Sequence, residues 1–278
     1  MSEVRYGPDL RVLVVGGGVA GLTLCGLLRR RGFRPRLVEA RGPGYETRRD
    51  HVLGVWPSGT DVLKGLGLYD HLAGAGQELR AYVVADERGA TVRRYDLRPA
   101  GRRFGPAYLL PRSRFLEALR AGLGDTPLCL GTTVRRLTQH PDAIEVALTD
   151  GTADTFDLVV GADGVTSAVR TLAFGPLPMR RAGLRAWAFR VDTPPGDLPM
   201  EPGTVVEQWG RGRFCGVYPA KGVLGGFLAV ADPALEGQTS EGGADDSAPL
   251  RASFDAFCGP AARLLAALPA PADRWRRS

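Results

Sequence analysis

The chain has 278 residues, 44% of them apolar and 24% charged, a balance that fits one large α/β domain or two smaller ones and excludes fibrous and disordered classes. Its formal net charge is +6, yet only Lys64 and Lys221 are lysines and the arginines are scattered from Arg5 to Arg277 among acids, so the basic stripe of a nucleic-acid binder is absent. The widely spaced Cys25, Cys129, Cys215 and Cys258 and three histidines exclude a metal cluster or disulfide framework, and with no apolar run near the ~20 residues of a membrane span the expectation is a cytoplasmic protein without an integral membrane segment.

Leu10 to Val15 is a continuous apolar run of strand length, followed by a glycine cluster and by Ala20 to Leu28, spaced like a buried helix. Arg29, Arg30 and Arg31 fall where that helix should end and where its dipole favours cations, and Gly32 suits its C-cap. Arg34 to Ala40 reads as a second strand, parallel to the first through a right-handed crossover. The polar loop GPGYETRRDH leads to a predicted helix from Ser58 to Leu66. Tyr82 to Ala85 and Thr91 to Tyr95 form a predicted hairpin around Asp86 to Gly89. Pro111 to Leu123 is predicted helical, with Phe115, Leu116, Leu119 and Leu123 on one side.

Leu128 to Leu130, Ile144 to Leu148 and Phe156 to Val160 are predicted strands, the last feeding directly into Gly-Ala-Asp-Gly. Beyond residue 183 the pattern alternates, with Trp187, Phe189 and Val191 opposite Ala186, Ala188 and Arg190, as in an antiparallel sheet. Val205 to Trp209, Phe214 to Tyr218 and Leu224 to Val230 continue it, before a polar loop and a last predicted helix from Leu250 to Leu268. Trp187, Phe189, Trp209, Phe214 and Tyr218 could line a pocket for a flat ligand, although packing within the core is the commoner use of large aromatics.

Gly16, Gly18 and Gly21 form GxGxxG between strand and helix, the context in which the pattern indicates a dinucleotide. The first glycine permits a tight turn, the second lets a pyrophosphate approach the backbone, and the third lets helix and strand pack closely. The helix N-terminus, including Val19 and Ala20, then presents amide hydrogens to the phosphates. Glu39, with Ala40 beside it, ends the second strand, where a carboxylate can accept hydrogen bonds from both ribose hydroxyls and would repel the 2′-phosphate of NADP. Arg112 starts a helix, where a cation opposes the dipole and an anionic phosphate would offset the conflict. Asp163 and Gly164 form a turn after a strand, with Thr166 or Ser167 able to cap the next helix. His51 is a candidate proton acceptor on a loop.

GGGVAGL, PRSRFLEAL and DLVVGADGVTSAVR occur in the order and spacing of the FAD-dependent aromatic hydroxylases, the p-hydroxybenzoate-hydroxylase-like flavoprotein monooxygenases, and HVLGVWPSGTDVLKGLGLYDHL resembles the segment that follows their second strand. The resemblance implies that Gly16, Gly18, Gly21 and Glu39 bind the ADP half of FAD, that Arg112 binds nearby phosphate or ribose, and that Val134 lies against the adenine. It associates Asp163 and Gly164 with FAD and with NAD(P)H use. It further implies that NADH or NADPH reduces the flavin, that O2 adds to give a C4a-hydroperoxide, and that one oxygen passes to a small aromatic or polyketide-like substrate. No protein base is assigned.

The implied fold is α/β: a Rossmann-like FAD-binding domain, residues 1–75 and 101–180, with a predominantly antiparallel β-sheet substrate domain, residues 76–100 and 181–278. Family members carry a third FAD motif, an apolar strand followed by Gly-Asp and a helix; here the Gly-Asp pairs at 124–125 and 196–197 do not follow such a strand. The chain ends at PADRWRRS, so the expectation is a C-terminally truncated family member, which keeps open a catalytically silent FAD- or ADP-binding remnant. A related flavin-dependent reductase is the other alternative; a flavin halogenase would need a WxWxIP stretch that this chain lacks.

Overall fold

The computed structural model describes residues 7–47, 50–178, 182–192, 200–231 and 252–268. The chain divides into two compact units, one of Met1–Tyr45, Gly65–Leu68 and Phe115–Met179, the other of Glu46–Lys64, Tyr69–Arg114 and Arg180–Ser278. In chain order the elements begin β1 (Val12–Val15), α1 (Val19–Arg30), β2 (Arg36–Glu39), β3 (Val52–Val55), α2 (Pro57–Leu66) and α3 (Tyr69–Ala75). They continue β4 (Gln77–Glu78), β5 (Ala81–Asp86), β6 (Thr91–Asp96), α4 (Arg98–Phe104), β7 (Tyr108–Pro111), α5 (Arg112–Ala121), β8 (Leu128–Leu130) and β9 (Val134–Gln139). The remainder is β10 (Ile144–Leu148), β11 (Ala153–Phe156), β12 (Leu158–Gly161), α6 (Ala168–Phe174), β13 (Leu184–Asp192), β14 (Thr204–Gly210), β15 (Arg213–Ala220), β16 (Val223–Ala231) and α7 (Pro260–Ala266).

In the first unit β12, β1, β2 and β8 form a parallel sheet in that order, with Val12 opposite Leu158 and Leu37 opposite Leu128. All four residues of β1 are buried, as a strand covered on both faces requires. The antiparallel strands β11, β10 and β9 contribute Val134, Val146, Leu148 and Phe156 to one core with Leu13, Val15 and Val38. α1 ends as its arginines require: Arg29 and Arg30 fill the last turn, and Gly32 follows at φ +87° with its N–H donating to the Arg29 carbonyl.

In the second unit the six-stranded sheet runs β13-β16-β15-β14-β5-β6, antiparallel throughout except for the parallel pair β14–β5. One face packs Trp187, Phe189, Cys215, Val217, Leu224 and Leu228 against Phe254, Phe257 and the apolar side of α7. Gln208, fully buried beneath them, is satisfied: its amide donates to the carbonyls of Asp86 and Cys258 and its oxygen accepts the Ala261 N–H at 2.9 Å.

The small sheet β3-β7-β4 shares a second core, Leu79, Ala107 and Leu109 with Val205, Ala220 and Val223, with the start of β14, the end of β15 and the start of β16. This core, together with Tyr69 edge-on to Tyr108 and Lys221 donating to the Ala73 and Gly74 carbonyls, groups 46–64, 69–75 and 101–114 with the β-sheet unit, whereas the sequence expectation assigned them to the cofactor domain. The predicted helix at 111–123 is Arg112–Ala121, Pro111 having joined β7, and the expected strand from Phe156 to Val160 is two strands broken at Asp157, whose carboxylate accepts the Arg11 N–H at 2.7 Å. The last helix is shortened to Pro260–Ala266 by the turn at Gly259-Pro260; residues 250 and 251 lie outside the described residues. Among the described residues no helix is long and apolar enough to cross a membrane.

Candidate cofactor-binding site

The site of interest in the first unit lies at the C-terminal ends of β1 and β12, neighbours in the parallel sheet, which is where open α/β sheets bind ligands. Gly16 turns at φ +113°, and a Cβ there would run into the Ala162 carbonyl and lie 2.8 Å from the Asp163 Cα. The glycine fingerprint and the Gly-Ala-Asp-Gly turn are therefore in main-chain contact, an adjacency held by the Ala162 N–H donating to the Val15 carbonyl at 2.7 Å. A Cβ on Gly21 would collide with the Gly16 carbonyl, so the third glycine is what lets α1 start this close to the turn. Gly18 differs from both: a Cβ there meets nothing within 4 Å. Its space is left open by the protein.

Gly18 is also the N-cap of α1, it has no side chain to cap the helix, and the first turn holds no acid. The first-turn amides, those of Val19, Ala20 and Gly21 among them, have no intrahelical acceptor and form an anion-binding arrangement. The open cradle, the uncapped helix N-terminus and a first turn without an acid fit the pyrophosphate of a dinucleotide.

Glu39 is buried and already engaged. One carboxylate oxygen accepts the Gly17 N–H at 2.7 Å, the other the Arg41 N–H at 2.9 Å. Each oxygen retains acceptor capacity for a sugar hydroxyl, but the first task of Glu39 is to clamp the glycine turn. Tyr45, completely buried, completes that clamp by donating its hydroxyl to the Gly17 carbonyl at 2.6 Å. Gly17 and Tyr45 were not singled out by the motif; the signal was an aromatic residue following Gly42 and Gly44 in an otherwise polar loop. Ala40 is exposed beside Glu39, and the main chain of 131–132 is laced to the same corner, with the Thr132 N–H donating to the Glu39 carbonyl at 2.9 Å. Val134, two residues on, buries its side chain in the core with Leu13 and Val38, so it has only its main chain to offer a ligand.

Asp163 is an intramolecular cap. It accepts the Ser167 hydroxyl at 2.6 Å and the Ala168 and Val169 N–H groups at 2.7 and 3.1 Å, while the Ser167 oxygen accepts the Arg170 N–H. Of the two cap candidates Ser167 is used and Thr166 is exposed. Gly164, at φ +83°, is exposed with open space where a Cβ would be.

Arg112 belongs to the second unit. Its N–H donates to the His51 carbonyl at 2.7 Å and its guanidinium lies 3.4 Å from the Glu46 carbonyl. Asp50 accepts the Ser113 N–H and hydroxyl at 2.8 and 2.6 Å and pairs with Arg190 at 3.1 Å. Asp50 and Arg190 are far apart in sequence, and no local pattern marks them as partners. The five aromatic pocket candidates separate by face: Trp187 and Phe189 are core residues against α7, while register puts Trp209, Phe214 and Tyr218 on the opposite face.

The profile of the FAD binding domain family matches residues 9–209. The chain is 37% identical over 229 residues to a 3-amino-4-hydroxybenzoate 2-monooxygenase of Streptomyces cremeus, covering 77% of this chain and 54% of that protein. It is 32% identical over 211 residues to an aurachin C monooxygenase/isomerase of Stigmatella aurantiaca, covering 76% and 54%. The chain thus spans about half the length of the curated relatives it matches. Among solved structures, Klebsiella pneumoniae HpxO complexed with FAD and uric acid superposes with a TM-score of 0.81 at 25% identity, covering 96% of this chain and 67% of that one. PqsL of Pseudomonas aeruginosa, a probable FAD-dependent monooxygenase, superposes with a TM-score of 0.75 at 20% identity over 97% and 72%, a likeness of fold.

Proposed function

The chain belongs to the FAD binding domain family of aromatic-hydroxylase-like flavoproteins, and from that premise we propose that it binds FAD and serves an NADH- or NADPH-consuming monooxygenase reaction on a small aromatic or polyketide-like molecule. The observation that carries the proposal is the open space at Gly18, at the uncapped N-terminus of α1, flanked by Glu39. FAD, when bound, supplies the exchange of electrons with nicotinamide and with O2 that no side chain can perform.

The chain's own residues have three tasks in this reading. The amides from Gly18 to Gly21 hold the pyrophosphate without a positive side chain, because the helix dipole and free N–H groups already favour an anion. Glu39 receives the ribose hydroxyls on the acceptor capacity left by Gly17 and Arg41, with Ala40 and the main chain at Val134 bordering the adenosine. Asp163, by capping α6, holds the turn against which Gly16 packs, and Gly164 leaves that turn approachable. Arg112 is assigned to a cofactor phosphate or ribose by family resemblance. The substrate's neighbours must exclude water while oxygen is transferred.

The test is the visible spectrum of the purified protein after incubation with FAD, followed by NADH and NADPH oxidation with and without simple phenols. Retention of a yellow flavin, with nicotinamide oxidation that rises when a phenol is added, is expected. A protein that stays colourless and leaves the fluorescence of added FAD unchanged overturns the proposal.

A further inference from the structure

The face of the six-stranded sheet opposite α7 carries groups that the reading above does not use. Register places on it Tyr82 of β5, Glu207 and Trp209 of β14, Phe214 and Tyr218 of β15, and Phe227 of β16. The face has two halves. Toward the start of β14 it is covered, with Val205 buried and Tyr82 and Tyr218 packed against the core shared with β3 and β7. Toward the end of β14 it is open: Trp209 is 55% and Phe227 37% exposed, and their rings meet through Phe214, with centroids 4.7 and 5.9 Å apart in edge-on contact.

Glu207 lies at the boundary between the halves, half-buried. The Tyr218 hydroxyl donates to its carboxylate at 3.1 Å, and Tyr82 lies on the same face within its electrostatic reach. Burial first, and the carboxylate second, hold both phenols above their ordinary ionisation range, so Tyr218 serves Glu207 as a neutral donor. Among the described residues no cation pairs with Glu207. The two arginines that register puts on the same face are engaged elsewhere: Arg93, two strands away, stacks on Tyr95, and Arg190 pairs with Asp50.

A half-buried carboxylate has lost part of its hydration, and a neutral hydroxyl does not compensate its charge. Beside it stand three aromatic rings suited to a flat ring and, through their π faces, to a cation. We infer that this face is a recognition site for a planar aromatic molecule carrying a protonated, N–H-bearing group, the ring lying against Trp209, Phe214 and Phe227 and the N–H groups donating to Glu207. That this molecule is the substrate rests on the proposed function above; the binding itself does not.

Benzamidine and benzamide test it, because they share shape and differ in charge. Each is titrated into the FAD-incubated protein and binding is read by tryptophan fluorescence and calorimetry. Benzamidine is expected to bind at least about tenfold more tightly, as a charge-assisted hydrogen bond to a carboxylate should. Glu207→Gln, which preserves shape and removes the charge, is expected to bring the ratio close to one, and Trp209→Ala to weaken both ligands. Equal binding of the two compounds, or a preference that survives Glu207→Gln in a variant with an unchanged melting temperature, overturns the inference. If Glu207→Gln does not fold, Trp209→Ala decides: unchanged binding of both compounds overturns it. Flavin content is read separately from visible absorbance. A colourless protein that still selects benzamidine fails the flavoprotein reading alone, and a yellow one that does not select it fails this inference alone.

Discussion

Glycines that look equivalent in the sequence have different physical reasons, and those reasons predict opposite phenotypes. Gly16 sits at φ +113° against the Ala162 carbonyl, so Gly16→Ala combines backbone strain with a main-chain clash. A loss of about 2 kcal/mol or more is expected in denaturant melts of the FAD-free protein. Gly18 has φ −79° and open space, so Gly18→Ala should change the same melts by less than about 1 kcal/mol. Its effect should instead fall on FAD affinity, lowered at least about tenfold in a fluorescence titration. If both variants lose stability equally, the space at Gly18 is not a ligand's. The motif's spacing located both residues, but only the coordinates separate the one that packs from the one that is open. The phenols of Tyr82 and Tyr218 supply a second residue-scale expectation. Both ionise above the ordinary value near 10, so the folded protein keeps these protons longer than the unfolded chain. Their stability contribution is complete below that pH and is lost as pH rises through the folded values. Glu207→Gln should shift both phenols down while burial keeps them above ordinary tyrosine, measurable as phenolate absorbance in an alkaline titration. No downward shift would mean the carboxylate is not their partner.

Among the elements, those with a strong local signal were legible and those defined by partners were not. β1, α1 and β2 follow from an apolar run, a glycine turn and a helical period, and β8 and β10 match their predicted limits. β3, β4 and β7 were missed because they are two to four residues long and exist by pairing with one another. β9 was missed because Arg135 and Arg136 are exposed and mask its alternation. The cap of α6 was half legible: a hydroxyl cap was expected, while Asp163 looked like a ligand-facing residue. Its geometry makes it the principal acceptor at that helix start, so Asp163→Ala should destabilise by about 1–2 kcal/mol in urea denaturation. Asp163→Asn keeps one acceptor oxygen and should recover part of that loss. Should Asp163→Asn match wild type in stability yet bind FAD much less tightly, Asp163 is a ligand residue before it is a cap.

At the scale of the whole molecule, the sequence conveyed the architecture, a parallel sheet followed by a mainly antiparallel one, because apolar runs and alternation differ visibly. It did not convey the parallel pairing of β14 with β5, which joins segments distant along the chain with no local mark on either. Nor did it show that 46–64, 69–75 and 101–114 pack with the β-sheet unit, since that grouping depends on the shared core of Leu79, Leu109 and Val205. What it did convey, the order of three motifs, bears on where FAD should act. The fingerprint, Glu39, the main chain at 131–134 and the turn at Asp163 converge within the first unit, through contacts made by backbone amides and carbonyls. A ligand held mainly by backbone protects that backbone. At a free FAD concentration a hundred times its Kd, binding adds about 2.7 kcal/mol against any opening that destroys the site, a slowing of exchange of about a hundredfold. Hydrogen exchange with and without FAD should therefore show its largest protection at residues 16–21, 39–41, 131–134 and 162–164. Protection concentrated in β13 to β16, with none at Gly16 to Gly21, would mean that FAD is held by a different part of the chain.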